Sequence, residues 1–318
     1  MSRSDNEPSL HDEAARAGWL YYVGGMTQDQ IATELGVSRQ RAQRLVSRAM
    51  AEGLIHVRLN HRIGACLDLE AALTDRFSLT RCRVAPSLGT GADPARAIAP
   101  AAAAELERYL RLTESQVIAF GTGRALRGMA EQLAPTDARQ HRIVSLLGNI
   151  APDGSATLYD VISRIAEKLN APYYPMPVPV ISDTPEERAF FMRLRPVQAV
   201  FSLAQRADVT FVGVGQMGND APLALDGFVS REALNDLQGQ GAIGEIAGWV
   251  YDDHGRYMDS PRNALVGGVR VEPGQTRPVI AVAAGPAKVR PLWAALNGRI
   301  VNGLITDEAT AAAILLQP

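Results

Sequence analysis

The sequence predicts an α/β chain preceded by a small helical unit, and three observations carry that reading. Strand-like apolar runs alternate with helical ones over most of the chain, glycines fall at the ends of the strand-like runs, and the opening residues show helical spacing broken by short turns. The 318 residues are 47% hydrophobic and 21% charged, enough apolar material for a sizeable core, at a formal net charge of -2. The expected division places a helical unit at residues 1–60 and the α/β domain at residues 61–318.

From Glu13 to Val23 the apolar residues Ala15, Trp19, Leu20, Tyr22 and Val23 recur at helical spacing, and Gly24-Gly25 closes the segment. Thr27 followed by Gln30 matches a capping box, so a second helix is expected from about Gln28 to Leu35, stopping at Gly36. Ser38 can cap a third. The short connection Gly36-Val37-Ser38 between them is that of a helix-turn-helix. On the third helix Ala42, Leu45, Val46, Ala49 and Met50 are spaced to face a small core, whereas Gln40, Gln43, Arg44 and Ser47 point the other way. Arg41 and Arg48 flank that polar face, and Arg39 sits in the first turn.

Between Gly36 and Arg62 there are six arginines against one acid, Glu52, so a nearly neutral chain conceals a positive local field. Arginine can bond guanine bidentately, glutamine can do the same with adenine, and flanking arginines can clamp phosphates. Double-stranded DNA is therefore the expected partner, with Gln43 and Arg44 as base readers and Thr27, Ser38, Arg39, Gln40, Arg41 and Arg48 completing the interface. A solvated charged face, or a face for a protein partner, is the competing reading. After Gly53, "LIHVRL" reads as a short β segment, either a wing touching the DNA backbone or a linker strand.

Past Arg62, "QVIAFG", "RIVSLLG", "DVTFVGVG", "PVIAVAAG" and "VNGLITD" read as strands, alternating with "RALRGMAEQL", "LYDVISRIAEKL", "PAKVRPLWAALNG" and "EATAAAILL" as helices. This order predicts a largely parallel sheet with its ligand at the carboxyl ends of the strands. "APYYPMPVPVIS" carries too many prolines for a helix and is expected to be extended or a loop at an edge.

The glycine loops are the candidate site. In "IAFGTGRAL", Gly121, Thr122, Gly123 and Arg124 lie between a strand and a helix, where free N–H groups and the helix dipole suit an anion. Arg124 is miscast at that helix end unless a phosphate binds there, although it could simply reach solvent. Lys288 follows Gly285-Pro286 at another helix entrance, and it is one of only two lysines, with Lys168, among 32 basic residues. A surface lysine is the bland alternative. "SLLGN" brings Gly148 and Asn149 to a further strand end. Gly213, Gly215 and Gly218 spell G-x-G-x-x-G, but Asn219, Asp220 and Pro222 interrupt the helix that should open there, so no dinucleotide and no other cofactor is expected.

"LYYVGGMTQDQIATELGVSRQRAQRLVSRAMAEGLI", "AFGTGRAL", "VGVGQMG", "GAIGEIAGWVYDDHGR" and "VIAVAAGPAKVRPLWAALNGRIVNGLITDEATA" together resemble the SorC family of sugar-responsive bacterial transcription regulators, over nearly the whole chain. The resemblance implies a winged helix-turn-helix joined to an effector domain like that of sugar-phosphate isomerases and deaminases. It also implies a phosphorylated sugar or polyol effector from a utilisation operon, and assembly as a homodimer or homotetramer. It places Gly215, Gln216 and Met217 in a loop beside the sugar and Lys288 on the effector phosphate. Glu245 stands where the family often carries aspartate; it can accept hydroxyl hydrogens, or equally pair with an arginine.

An isomerase or deaminase-like enzyme with an accessory helical unit is the alternative, with Asp226, Glu245 or Asp307 as nominees for a base. No acid-base pair at diagnostic spacing supports it, and no catalytic residue is assigned. The five histidines form no motif, and Cys66 and Cys82 read as ordinary buried thiols, so no metal site is expected. Met1–Glu13 lacks the apolar core of a leader, and no run approaches the ~18 apolar residues of a membrane span, which points to the cytoplasm. Repressor and activator both remain open.

Overall fold

The computed structural model describes residues 9–55, 63–89, 91–151 and 161–318, and the chain divides into two compact units, Met1–His61 and Arg62–Pro318.

The small unit holds three helices: α1 (Leu10–Tyr22), α2 (Gln28–Leu35) and α3 (Arg39–Ala51). Helix α1 begins three residues before Glu13, because Ser9 and Asp12 form a reciprocal capping box. Its buried face is also not the large apolar residues: Ala14, Ala17 and Gly18 face inward, while Trp19 is 56% exposed and Tyr22 and Val23 point outward. The reason is close approach, since a Cβ on Gly18 would stand 2.7 Å from the Ala49 methyl and 2.8 Å from Ile55. Thr27 and Gln30 form the expected box at the start of α2, and Gly36 ends it in the left-handed region at φ +65°. Ser38 Oγ then accepts the Arg41 N–H at 3.2 Å, starting α3. Ala42, Leu45, Val46 and Ala49 are buried with Ile31 and Ala32, whereas Met50, expected in this core, lies outside it at 39% exposure. The seam with α1 is built from alanine and glycine and is too narrow to take a second large side chain beside Ala49. From His56 onward the expected β segment falls outside the described residues.

In the large unit α4 (Gly64–Phe77) leads through β1 (Arg81–Ala85), α5 (Pro94–Leu110), β2 (Val117–Phe120), α6 (Arg124–Gln132), β3 (Arg142–Ile150) and α7 (Val161–Leu169) to β4 (Tyr173–Pro179). Then come α8 (Pro185–Met192), α9 (Arg195–Gln205) and β5 (Val209–Val212). An antiparallel inset follows, made of β6 (Gly215–Gln216), β7 (Ala242–Ile246) and β8 (Trp249–Asp252), with α10 (Pro222–Leu225) and α11 (Arg231–Gly239) between its first two strands. The chain finishes with β9 (Val279–Val282), α12 (Val289–Asn297), β10 (Gly303–Asp307) and α13 (Glu308–Leu315).

Seven strands form one sheet in the order β1-β10-β9-β5-β2-β3-β4, every pair parallel. Strands β5, β9 and β10 are buried along their whole length, and the sheet is covered on both faces by separate apolar clusters, as a parallel sheet requires. The proline-rich run is β4, at the sheet edge, where a missing N–H costs no ladder bond. Because β2, β5 and β9 are immediate neighbours, the loops after Phe120, Val212 and Val282 emerge side by side. Among the described residues no helix is long and apolar enough to cross a membrane.

Several polar residues are committed to this scaffold. The Lys168 ammonium donates to the carbonyls of Glu131 and Leu133 at 2.8 and 3.0 Å, satisfying the carboxyl end of α6. His141 is fully buried, with Gln116 N–H on its Nδ1 and the Leu110 carbonyl at its Nε2, both 3.1 Å, so it is a core residue. Asp307 caps α13 through Thr310 N–H at 3.0 Å and accepts the Ser87 hydroxyl at 3.0 Å. Cys66 and Cys82 are free and buried, and burial pushes their thiols up to about 11 and about 12. Among the described residues no cluster of His, Cys, Asp and Glu could hold a metal ion.

Candidate functional site

A cleft of about 290 Å³ opens where β2, β5 and β9 end. Thr122, Gly123 and Arg124 form one wall after β2, and Gly213, Val214 and Gly215 the floor after β5. Ala284 and Lys288 close the side after β9, and Glu245 with Gly248 projects in from the antiparallel inset. Three loops far apart in sequence thus meet because their strands are adjacent in the sheet.

Gly123 is the N-cap of α6 at φ +124°, a conformation that favours glycine, and among the described residues no side chain caps the helix there. The first-turn N–H groups are therefore available to an anion, beside the exposed guanidinium of Arg124. Gly285, at φ +115°, opens a 3-10 turn, Pro286–Lys288, which delivers Lys288 to the same cleft just before α12 begins. Burial lowers the Lys288 ammonium below the ordinary lysine value, Arg124 adds to that, and Glu245 and Asp220 oppose it. Glu245 lies opposite Gly215 across β6 and β7, with Gly248 N–H donating to its Oε2 at 2.8 Å. Burial raises its carboxyl, against the pull of that N–H, Lys288 and Arg262 and with the push of Asp226. Asp226 is itself raised by burial and drawn back by Arg124. Two cations and three acids, Asp93 at the rim among them, thus share one cleft: the cations suit a phosphate and the acids suit hydroxyl hydrogens.

Other expected residues are placed elsewhere. Gly121 continues β2, its N–H donating to the Phe211 carbonyl at 2.8 Å. Gly148 is pressed against the Val178 and Pro179 carbonyls of β4, which leaves no room for a Cβ, and its neighbour Leu147 reaches the cleft instead of Asn149. Gln216 folds back on its own turn, donating to Asp220 Oδ1 at 3.0 Å and accepting Gly218 N–H. Met217, just past β6, is buried with Ala221, Leu223 and Leu234 in the apolar cluster of the inset. Sequence reasoning missed Asp93, which caps α5 at the cleft rim, and named Asp226 only as a base; neither lies near a recognisable motif.

On the small unit Gln40, Gln43, Arg44 and Ser47 are all exposed along one face of α3. Arg39 pairs with Asp29 at 3.3 Å, Arg41 with Glu13 at 2.8 Å, and Arg48 with Glu52 at 2.6 Å. Arg44 makes no ion pair with any described residue; its Nε donates to the Gln40 carbonyl at 3.4 Å. The hydroxyls of Thr27 and Ser38 are already engaged as caps.

A helix-turn-helix with an arginine and glutamine face, in one chain with an α/β domain whose cleft suits a hydroxylated anion, defines a ligand-responsive transcription regulator. Residues 61–316 match the family model of a sugar-binding domain, and residues 17–62 match the MarR family. The chain is 34% identical over 315 residues to the erythritol catabolism regulatory protein EryD of Brucella abortus (strain 2308), covering 99% of each. It is 31% identical over 310 residues to the transcriptional regulator LsrR of Escherichia coli (strain K12), covering 96% of this chain and 94% of that one. The crystal structure of the full-length sorbitol operon regulator SorC from Klebsiella pneumoniae superposes with a TM-score of 0.71 at 28% identity, covering 96% of this chain and 99% of that one. The chain belongs to the SorC family of sugar-binding transcription regulators, and these relatives are regulators, not enzymes.

Proposed function

We propose that this regulator controls a carbohydrate or polyol utilisation operon, with α3 reading operator DNA and a phosphorylated sugar or polyol in the cleft shifting operator affinity. The observation that carries the effector class is the meeting of Arg124, Lys288 and Glu245 in one cleft. The cations hold the phosphate beside the uncapped start of α6, and Glu245 accepts a hydroxyl hydrogen. The erythritol in the name of the Brucella relative supports a short polyol phosphate as the first ligand to try. Gln43 and Arg44 contact bases, and Arg39, Gln40, Arg41 and Arg48 engage phosphates after releasing or sharing their acidic partners. The protein works in the cytoplasm as a symmetric homodimer or homotetramer, matching half-sites a helical turn or its multiple apart. The effector must bind two quaternary arrangements unequally, and a coupling of about 1–3 kcal/mol is typical.

The test is to sequence the genomic fragments that purified protein retains, with Arg44→Ala as control, and then to titrate the retained sites. The titrants are erythritol 4-phosphate, glycerol 3-phosphate, inorganic phosphate and free erythritol. A few palindromic sites lost in the variant, released or tightened by a polyol phosphate at lower concentration than by free polyol, are the expected result. Retention without sequence preference, or a response to free polyol alone, overturns the proposal.

A further inference from the structure

Arg262 presents an unexplained charge. Its Nε and both Nη atoms are buried without a hydrogen-bond partner, and it makes no ion pair with any described residue. A guanidinium taken out of water with none of its five donors used is costly, and such a group is retained only where a nearby negative charge offsets the cost. Burial lowers Arg262 to about 10, and the charge that opposes this is Glu245.

The backbone explains how the two are held together. Asn263, the next residue, grips β8 on both sides of Val250: its Oδ1 accepts the Val250 N–H and its Nδ2 donates to the Val250 carbonyl, both at 2.8 Å. Val250 is the cross-strand partner of Glu245, and Glu245 is the partner of Gly215. Arg262 is thus one residue from a clamp on the strand that backs Glu245. The groups acting on Glu245 are Lys288 and Arg262, which favour its charge, and Asp226, which disfavours it. The phenols of Tyr251 and Tyr257 also feel its charge.

We propose that Arg262 is a positioning residue for the effector: its buried, unpaired guanidinium keeps Glu245 a charged acceptor for a ligand hydroxyl once the ligand's anionic group has neutralised Lys288. Lys288 lines the cleft and meets the anion directly, so its support for the Glu245 carboxylate falls when the ligand binds. Arg262 has no exposed nitrogen for the ligand to reach, so its support persists. Without it, an anion beside Glu245 would favour the protonated acid, which no longer prefers a hydroxyl donor. The inference rests on the cleft being the effector site.

The test uses the ligand-free full chain with ¹³C-labelled glutamate, the Glu245 carboxyl signal being assigned with Glu245→Gln. In Arg262→Met the titration midpoint of Glu245 moves up by about one pH unit or more, and Arg262→Lys brings it back toward wild type. An unmoved midpoint in Arg262→Met overturns the inference. If that variant does not fold, Arg262→Gln replaces it, with the same two outcomes. In binding, the preference for a polyol phosphate over inorganic phosphate narrows at least about tenfold in Arg262→Met, and an unchanged preference overturns the inference. Because the titration needs no ligand, it decides the role of Arg262 even if no polyol phosphate binds the wild type, a result that would strike the effector reading alone.

Discussion

Gly215 and Glu245 face each other across β6 and β7, and the Glu245 carboxylate occupies the space that a Cβ on residue 215 would fill. The glycine is there for a neighbour's side chain, since its own φ lies outside the left-handed region. Gly215→Ala should therefore swing Glu245 off the Gly248 N–H and out of position, raising the effector concentration for half-response by about tenfold or more. Effector titration of an operator complex checks this; a wild-type midpoint in a folded Gly215→Ala protein would remove Glu245 from the recognition geometry.

Glu245 also links stability to pH. Its folded carboxyl titrates above the unfolded one because burial disfavours the charge, so its contribution to stability is full below the unfolded value and is lost as pH rises through the folded value. Glu245→Gln keeps an acceptor for Gly248 and removes that buried charge. The variant should melt above wild type at neutral pH, with the difference shrinking as pH falls through the raised folded value and gone below about 4. Thermal unfolding across pH checks the sign, and an advantage that grows on acidification would contradict it.

Of the two cations in the cleft, Lys288 should set the alkaline limit of phosphate binding. Lys288 is lowered by burial, so its ammonium, and with it phosphate binding, should be lost at a lower pH than for an ordinary lysine. In Lys288→Met the effector affinity should fall by about 10-fold to 100-fold and the alkaline limb should disappear. Arg124→Ala should weaken binding while leaving that limb in place. Calorimetry with a polyol phosphate between neutral and alkaline pH separates them; equal profiles would mean that Lys288 does not touch the anion.

On α3 the arginines are not equivalent. Arg44 has no acidic partner among the described residues, whereas Arg48 is held by Glu52 at 2.6 Å. Arg44→Ala should cost about 1–3 kcal/mol of discrimination between operator and random DNA. Arg48→Ala should weaken both alike and reduce the salt slope by about one. Equal losses on both DNAs for both variants would overturn the division between base reader and phosphate clamp.

How much of this was legible follows from the range of the interactions. Caps and turns are local, so Thr27–Gln30, Ser38 and Gly36 could be read directly, and the buried strands declared the parallel sheet through uninterrupted apolar runs. Lys288 and Arg124 were legible because a cation at a helix start contradicts the dipole. Lys168 shared the rarity of Lys288 yet serves two carbonyls of α6, since rarity does not distinguish a ligand site from a cap. Gln216 turned away because Asp220 and Gly218 of its own turn engage its amide, and Met217 because the apolar cluster of the inset takes it in; neither contact is visible in the motif. Asp93 and Asp226 carry no motif, and only the meeting of distant loops brings them to the cleft; Arg262 carries none either and lies outside its lining.

The small unit offers the sharpest contrast between apolar size and structural importance. Trp19 is the largest side chain on α1, yet it is 56% exposed, while its neighbour Gly18 sits where α1 crosses α3 and Ile55. A methyl added at Gly18 would stand 2.7 Å from Ala49 and 2.8 Å from Ile55, closer than carbon atoms approach, so the helices must part. The helix gain from glycine to alanine, about 1 kcal/mol, acts in the other direction. Overpacking of this kind costs about 1–3 kcal/mol, and in a unit with a core this small the steric term should win. Gly18→Ala should therefore lower the melting of the N-terminal helices and weaken operator binding, and Gly18→Val should do so more strongly. Trp19→Ala should leave both nearly unchanged. Hydrogen exchange resolved along α1 and α3 reads the effect without relying on the large unit, and protection in Gly18→Ala equal to wild type would show that the crossing relaxes at no cost.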